Sequence, residues 1–414
     1  MKFNKWTIAL AAVGVVSLAS AAKAEEKTSS VLTALSPTTL SGTVDTSMQW
    51  NPGNGNANVA PYRFNNSKMA DGFNLDVVQL TIEKPLDETD WAAGYRADLW
   101  FGPYANQLRT GSTGFNTSDF GIRQAYVALR APVGNGLDFK VGVFDSIIGY
   151  ESIDSSKDPN FTRSYGNTIE PQTQTGILAS YRFCDWFSAS AGVANTLGSQ
   201  INQRSISSVP LSFGPLTIPV YGPDSETYKS YMGSLALTAP DSWGFLAGST
   251  MYGGAVCGYN ANVNNQNTFG QAPFAGGNCA NYYVGATIAT PIKELRLGVA
   301  WDWLDLYQWP GQTWAIAAYA SVQATEKLSF HLRGEYLKDS AGVLFGTPAF
   351  GQPTDQVLDL TLTAQYDLWK NVITRVEFRY DRSLNDAAAF GGTINGVPQD
   401  CDAFMLGLNI LYKF

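Results

Sequence analysis

Asn371-Val372-Ile373-Thr374-Arg375-Val376-Glu377-Phe378-Arg379-Tyr380-Asp381 is the stretch that decides the fold. Val372, Thr374, Val376, Phe378 and Tyr380 alternate with Ile373, Arg375, Glu377, Arg379 and Asp381. Successive side chains of an extended strand point to opposite sides, so one side is apolar and the other charged. Upstream segments repeat the pattern. Leu358, Leu360, Leu362, Ala364 and Tyr366 alternate with Asp359, Thr361, Thr363 and Gln365, and Leu328, Phe330, Leu332, Gly334 and Tyr336 with Ser329, His331, Arg333 and Glu335. Strands of a soluble sandwich usually run about 5–6 residues. These alternations last about 9–13 residues, which is what a tilted strand needs to cross a bilayer.

Sixteen such segments are expected, near 38–50, 72–83, 91–101, 120–130, 137–145, 175–183, 186–194, 228–238, 243–254, 281–290, 294–304, 311–322, 328–337, 356–366, 371–380 and 403–414. After an opening loop at 51–71, their connections alternate between short and long, with 305–310 the one brief member of the long set. Short turns on one rim and long loops on the other, with an even strand count, describe an all-β transmembrane antiparallel barrel with periplasmic turns and extracellular loops. Composition agrees. Charged residues make up 15% of the 414, against 45% hydrophobic and 13% aromatic, well below the usual charged share of a soluble domain. One histidine, four cysteines and a net charge of −8 exclude a His-rich metal centre, a dense disulfide scaffold and an electrostatic nucleic-acid binder.

Residues 1–24 read as a signal peptide: Lys2 and Lys5, a run of small apolar residues from Thr7 to Ala22, then Ala22-Lys23-Ala24. The run is too short for a spanning helix, and loss of its three lysines would take the net charge to −11. A short periplasmic segment, 25–37, and the barrel, 38–414, would follow. Phe404, Leu406, Leu408, Ile410, Tyr412 and Phe414 alternate up to an aromatic C-terminus. This resembles the terminal strand read by the outer-membrane assembly machinery of Gram-negative bacteria, with Tyr412 and Phe414 as the assembly signal. The expected location is the outer membrane, and the expected partners are its lipid, that machinery and small polar solutes.

Closure makes inward charges tolerable. Unpaired backbone groups in hydrocarbon cost several kcal/mol each, so the sheet must close, and sixteen strands enclose a water-filled lumen. Alternation places Arg96, Arg130, Lys140, Arg182, Arg296, Arg333, Arg375 and Arg379 inside, facing Asp45, Glu83, Asp98, Asp138, Asp302, Glu335, Asp359 and Glu377. Such a wall is nearly neutral. Its charges either set a transverse field across the pore or pair across strands to stiffen it. Arginine at outward Leu360 would cost about 2–4 kcal/mol, and at inward Thr361 little.

The third long loop carries Gly142-Val143-Phe144-Asp145, Ile148-Gly149-Tyr150-Glu151, Asn160-Phe161-Thr162-Arg163-Ser164-Tyr165 and Thr175-Gly176. This resembles the β-barrel porin-2 (OmpL-like) family. The resemblance implies passive passage of small solutes through an outer-membrane pore. Because the third loop of general porins folds inward, it also implies a constriction in 146–174 holding Glu151, Asp154, Asp158, Arg163 and Glu170. A loop lying over the mouth is the alternative reading.

Cys257 and Cys279 fall in one expected outer loop, 255–280, and would bridge there, contributing about 3 kcal/mol. Cys184 and Cys401 lie at opposite rims and cannot meet. Trp50, Trp91, Trp100, Phe101, Trp186, Trp243, Trp301, Trp303, Trp309, Trp314 and Trp369 cluster at strand ends, as an interfacial girdle would; sugar stacking is the alternative for Trp301 to Trp314. Catalysis is not expected. Ser329 and His331 stand about 7 Å apart along their strand, and no hydrolase, zinc or phosphate-loop motif accompanies them. No cofactor or metal is expected. The alternatives to a general porin are a substrate-specific channel for a sugar or other nutrient and a surface adhesin or structural barrel. A homotrimer is compatible with sixteen strands, although no motif marks a subunit interface.

Overall fold

The computed structural model describes residues 32–33, 36–111, 118–204, 208–213, 216–221, 227–260, 277–307, 311–345, 354–395 and 397–414. The expected leader, most of segment 25–37, and Trp309 lie outside them. Sixteen strands form the barrel: β1 Thr39–Trp50, β2 Gly72–Lys84, β3 Ala93–Phe101, β4 Phe120–Ala131, β5 Leu137–Asp145, β6 Thr173–Cys184, β7 Phe187–Ala194 and β8 Ser230–Thr238, then β9 Thr250–Asn260, β10 Gly277–Ala289, β11 Leu295–Asp305, β12 Thr313–Gln323, β13 Leu328–Asp339, β14 Gln356–Trp369, β15 Val372–Ser383 and β16 Asp402–Lys413. Each pairs antiparallel with its sequence neighbours, and β16 pairs with β1 from Leu406↔Trp50 to Lys413↔Thr43, so no strand edge is left open to hydrocarbon.

The C-terminal residue completes the seam. Phe414 exchanges both main-chain hydrogen bonds with Gly42, at 2.9 and 3.0 Å. A β-carbon at Gly42 would sit 2.3 Å from the Gln79 carbonyl oxygen and 2.5 Å from the Phe414 ring, so this position must stay bare. Tyr412 and Phe414 themselves face outward and are exposed.

Alternation separates the two faces. On β14 the outward Leu360 and Leu362 are 44% and 51% exposed, while the inward Asp359, Thr361 and Thr363 are 0% exposed. Lys370 and Asn371 make the β14–β15 turn, with Asn371 at φ 68°, a left-handed conformation asparagine tolerates.

Three expectations are corrected. The ninth strand starts at Thr250, not 243, because Asp241–Leu246 winds into a 3-10 turn. Trp243 and Phe245 alternate in sequence but belong to that turn. Strands β9 and β10 then extend further toward the long-loop rim, to Asn260 and from Gly277. Cys257 and Cys279 therefore sit on strands, opposite Ala280 and Gly258. The register puts them on opposite faces of the sheet, and all four cysteines are free. Trp100 is the third case. It faces inward, almost fully buried, and donates to Gln79 Oε1 at 2.9 Å. Trp50, Trp91, Trp186, Trp243 and Trp369 are more than half exposed near the rims.

Candidate functional site

After Asp145 the chain turns into the cylinder and crosses to the far wall. A loop cannot bury main-chain N–H groups without acceptors, and here carboxylates of the wall accept them. The Phe161 and Thr162 N–H groups donate to Glu377 of β15 at 2.5 and 2.8 Å. Those of Tyr165 and Gly166 donate to Glu335 of β13, each at 2.7 Å. Asn160 Nδ2 donates to Thr363 Oγ1 of β14 at 2.7 Å. Tyr165–Ile169, the short helix α2, begins at these contacts; α1, Pro103–Gln107, lies in another loop.

Three arginines fasten the loop from the wall side. Arg333 donates to Asp359 Oδ2 at 2.8 Å, to Glu151 Oε1 at 3.0 Å and to the Thr162 carbonyl at 2.8 Å. Arg379 donates to the Asp381 carboxylate and to the Arg163 carbonyl at 2.6 Å, and its guanidinium lies 3.9 Å from the Tyr62 ring. Arg375 donates to the carbonyls of Ser155 and Asp158 at 3.0 and 2.7 Å. All three are essentially unexposed. Burying ions is costly unless each is paired and hydrogen-bonded; Arg333 and Arg379 are paired with carboxylates, whereas Arg375 is held by neutral acceptors alone, including Gln365 and Asn409.

The five loop residues expected at a constriction are all buried inside the barrel. Glu151 meets Arg333, and its other oxygen accepts from the Ser164 N–H at 2.7 Å. Asp158 lies 3.3 Å from Arg163; burial pushes its carboxyl up to about 7 despite that cation. Burial alone would raise Asp154 too, but Lys157, Arg123 and the Ser156 hydrogen bonds hold it below the usual carboxylate range. Burial and the neighbouring Asp302 carboxyl push Glu170 well above that range. Gly149, at φ 121°, makes room for it: a β-carbon there would lie 2.4 Å from Glu170 Oε2. Burial lowers Arg63, whose guanidinium donates to the Glu170 carbonyl at 2.8 Å, to about 10.

The remaining wall residues lie elsewhere on the inner face. Arg96 pairs with Glu83 and Asp98 at 3.0 and 3.1 Å, and Arg130 with Asp138 at 2.6 Å. Arg182 pairs with Asp185, Arg296 stands opposite Ala289 near the short-turn rim, and Lys140 rests 5.0 Å from the Tyr126 ring. A cavity of about 530 Å³ opens here, lined among others by Glu83, Tyr126, Arg130, Asp138, Lys140 and Arg182.

Two inward charges escape a strict period-two reading. The β1–β2 register slips between Asp45 and Thr46, and the β3–β4 register between Asp98 and Leu99. The extra residues at these bulges are Asp76 and Arg123, and a bulge re-aims a side chain. Asp76 accepts from Ser47 at 3.0 Å, and Arg123 binds Asp145. A further correction concerns His331. Its Nε2 lies 2.9 Å from Ser329 Oγ and its Nδ1 2.8 Å from Ser321 Oγ. Side chains of the same face lean together more than the spacing of their Cα atoms implies. The trio is buried.

A closed sixteen-strand cylinder, apolar outside and charged inside, with a loop folded into its lumen, defines an outer-membrane porin. The chain belongs to the family described as Putative beta-barrel porin-2, OmpL-like, whose family model matches residues 37–414. It is a channel protein of the outer membrane. No curated protein matches it. Among solved structures it resembles the outer membrane channel DcaP of Acinetobacter baumannii, at TM-score 0.56 and 12% identity, covering 91% of this chain and 97% of that one. It also resembles an anion-selective porin from Comamonas acidovorans, at TM-score 0.54 and 13% identity over 91% and 99%. The trimer form of OmpT from Vibrio cholerae matches at TM-score 0.52 and 11% identity over 91% and 99%. At such identities the likeness speaks to the fold.

Proposed function

We propose that the protein passes small hydrophilic solutes by diffusion, along the part of the lumen left open by the inner loop 146–172, which is anchored on β13–β16. The carrying observation is that Glu335 and Glu377 each hold two consecutive main-chain N–H groups of the loop. Such a clamp fixes backbone position, which is what a constriction of constant size requires. Glu151, Asp154, Asp158, Arg163 and Glu170 serve chiefly to build the clamp. Because Glu151, Asp154, Asp158 and Arg163 are paired inside the barrel and Glu170 faces the Asp302 carboxyl, the constriction selects ions weakly and discriminates by size. A void of about 10 Å³ beside Arg63, Phe161 and Arg163 has room for roughly one water, so the loop packs closely there. Catalysis has no place in this reading, since the Ser329–His331 pair is closed off from solute.

A homotrimer is part of the proposal, supported by the trimeric form of the structurally similar OmpT. Export through the leader 1–24 and assembly through Tyr412 and Phe414 complete it. Current through a planar bilayer, recorded with uncharged solutes of graded size, tests the reading. Discrete steps that persist with large excluded solutes and fall with small penetrating ones are expected. Absence of steps from correctly folded protein would favour an adhesin or structural barrel.

A further inference from the structure

At the long-loop rim, the loop 51–65 and the hairpin Phe390–Ile394/Val397–Asp400 clasp each other. Asn58 and Gly391 exchange main-chain hydrogen bonds at 2.9 and 3.0 Å, and Asn54 Nδ2 donates to Asp400 Oδ1 at 3.1 Å. Between them and the start of β16 lies a cleft of about 340 Å³. Its floor includes Tyr62 and Asp381, which touch Arg379 beside the clamp, so the cleft sits directly above the point where the loop is anchored.

The hydrogen-bonding capacity of this cleft is one-sided. The amide N–H groups of Asn54, Asn56, Asn58 and Asn65 are engaged by Asp400, Asp71, the Gly391 carbonyl and the Ala60 carbonyl. Yet Asn51 Oδ1, Asn65 Oδ1 and the Tyr62 hydroxyl are buried with no partner among the described residues, and all three residues line the cleft. Buried polar atoms without a partner are rare, and each points to a missing water, ion or ligand. Among the described residues no lysine or arginine lines the cleft. Asp381, Asp400 and Asp402 do, so an anionic ligand is disfavoured. The open groups are two neutral amide oxygens and a phenol, while Asp381, Asp400 and Asp402 already accept from Arg379, Asn54 and Arg382. An ammonium would seek a free carboxylate; a ligand bearing several hydroxyls matches the neutral acceptors.

We infer that this cleft is a recognition site for a neutral polyhydroxylated solute of monosaccharide size, placed at the outer entrance of the pore. Its position on the solute route rests on the channel reading; its ability to bind does not. Glucose titrated calorimetrically into the full-length protein in detergent tests it, with choline and acetate as comparison probes. Saturable glucose binding is expected, and none for the other two. Tyr62→Phe, which keeps the ring on Arg379, and Asn51→Leu each lower glucose affinity about fivefold or more, while Glu326→Gln in a turn on the opposite rim leaves it unchanged. Absent glucose binding, preferential choline binding, or unaltered affinity in both variants would overturn the inference. Current steps without glucose binding would sink it and leave the channel intact, whereas glucose binding without steps would sink only the channel reading.

Discussion

On β13, Arg333 is 0% exposed and holds Asp359 and Glu151, themselves 0% and 2% exposed. On β6, Arg182 is 30% exposed and holds Asp185, which is 77% exposed. Both are inward arginines paired with acids, and alternation cannot tell them apart. The inner loop can. Where it lies against β13–β16, water is excluded and each ion pair becomes a structural joint. Along β4–β6 near the short-turn rim a cavity remains, and the Arg130–Asp138 and Arg182–Asp185 pairs keep contact with water. A charged wall in a barrel is thus a pore lining or a scaffold according to what covers it.

The largest expected effect follows from this contrast. Arg333→Ala leaves the buried Glu151 carboxylate without its cation and takes from Asp359 one of its two arginine partners, and should cost about 3–5 kcal/mol of folding stability. Arg182→Ala should cost no more than about 1 kcal/mol. Unfolding titrations of both variants in the same lipid check the difference, and equal costs would erase the distinction between the two regions.

A smaller effect separates inside from outside. Leu360→Arg places a cation in hydrocarbon and should cost about 2–4 kcal/mol. The inward comparison cannot be Thr361, as the alternation implies, because Thr361 is buried and bonded to Arg333 at 2.9 Å and Asp359 at 2.7 Å. Ser180, on the wall of the open cavity, is the sound control. Ser180→Arg should lose little, and a loss matching that of Leu360→Arg would contradict the assigned facing.

Much of the fold is legible because lipid and water impose a period of two that nothing else in the chain imitates over so many residues. The alternation at 371–381 finds β15 to within a few residues, and the rhythm of short and long connections gives topology. Local exceptions are lost for local reasons. The bulges at Asp76 and Arg123 break the parity, the Trp243–Phe245 turn imitates it, and Cys257 and Cys279 look like loop residues because β9 and β10 continue through polar, glycine-rich sequence. The inner loop is readable only through a family resemblance, since its partners Glu335 and Glu377 are about 170 and 215 residues away. The outer cleft is not readable at all. It is assembled from segments more than 300 residues apart in sequence, and its character comes from which amide atoms remain unengaged.

Single-channel conductance of wild type beside the double variant Glu335→Gln, Glu377→Gln tests the central claim most directly. Neutral amides hold main-chain N–H groups less strongly than carboxylates do, so the loop should loosen. The account predicts resolved steps for wild type and larger, noisier ones for the variant. Identical conductance in the two, with both folded, would contradict it.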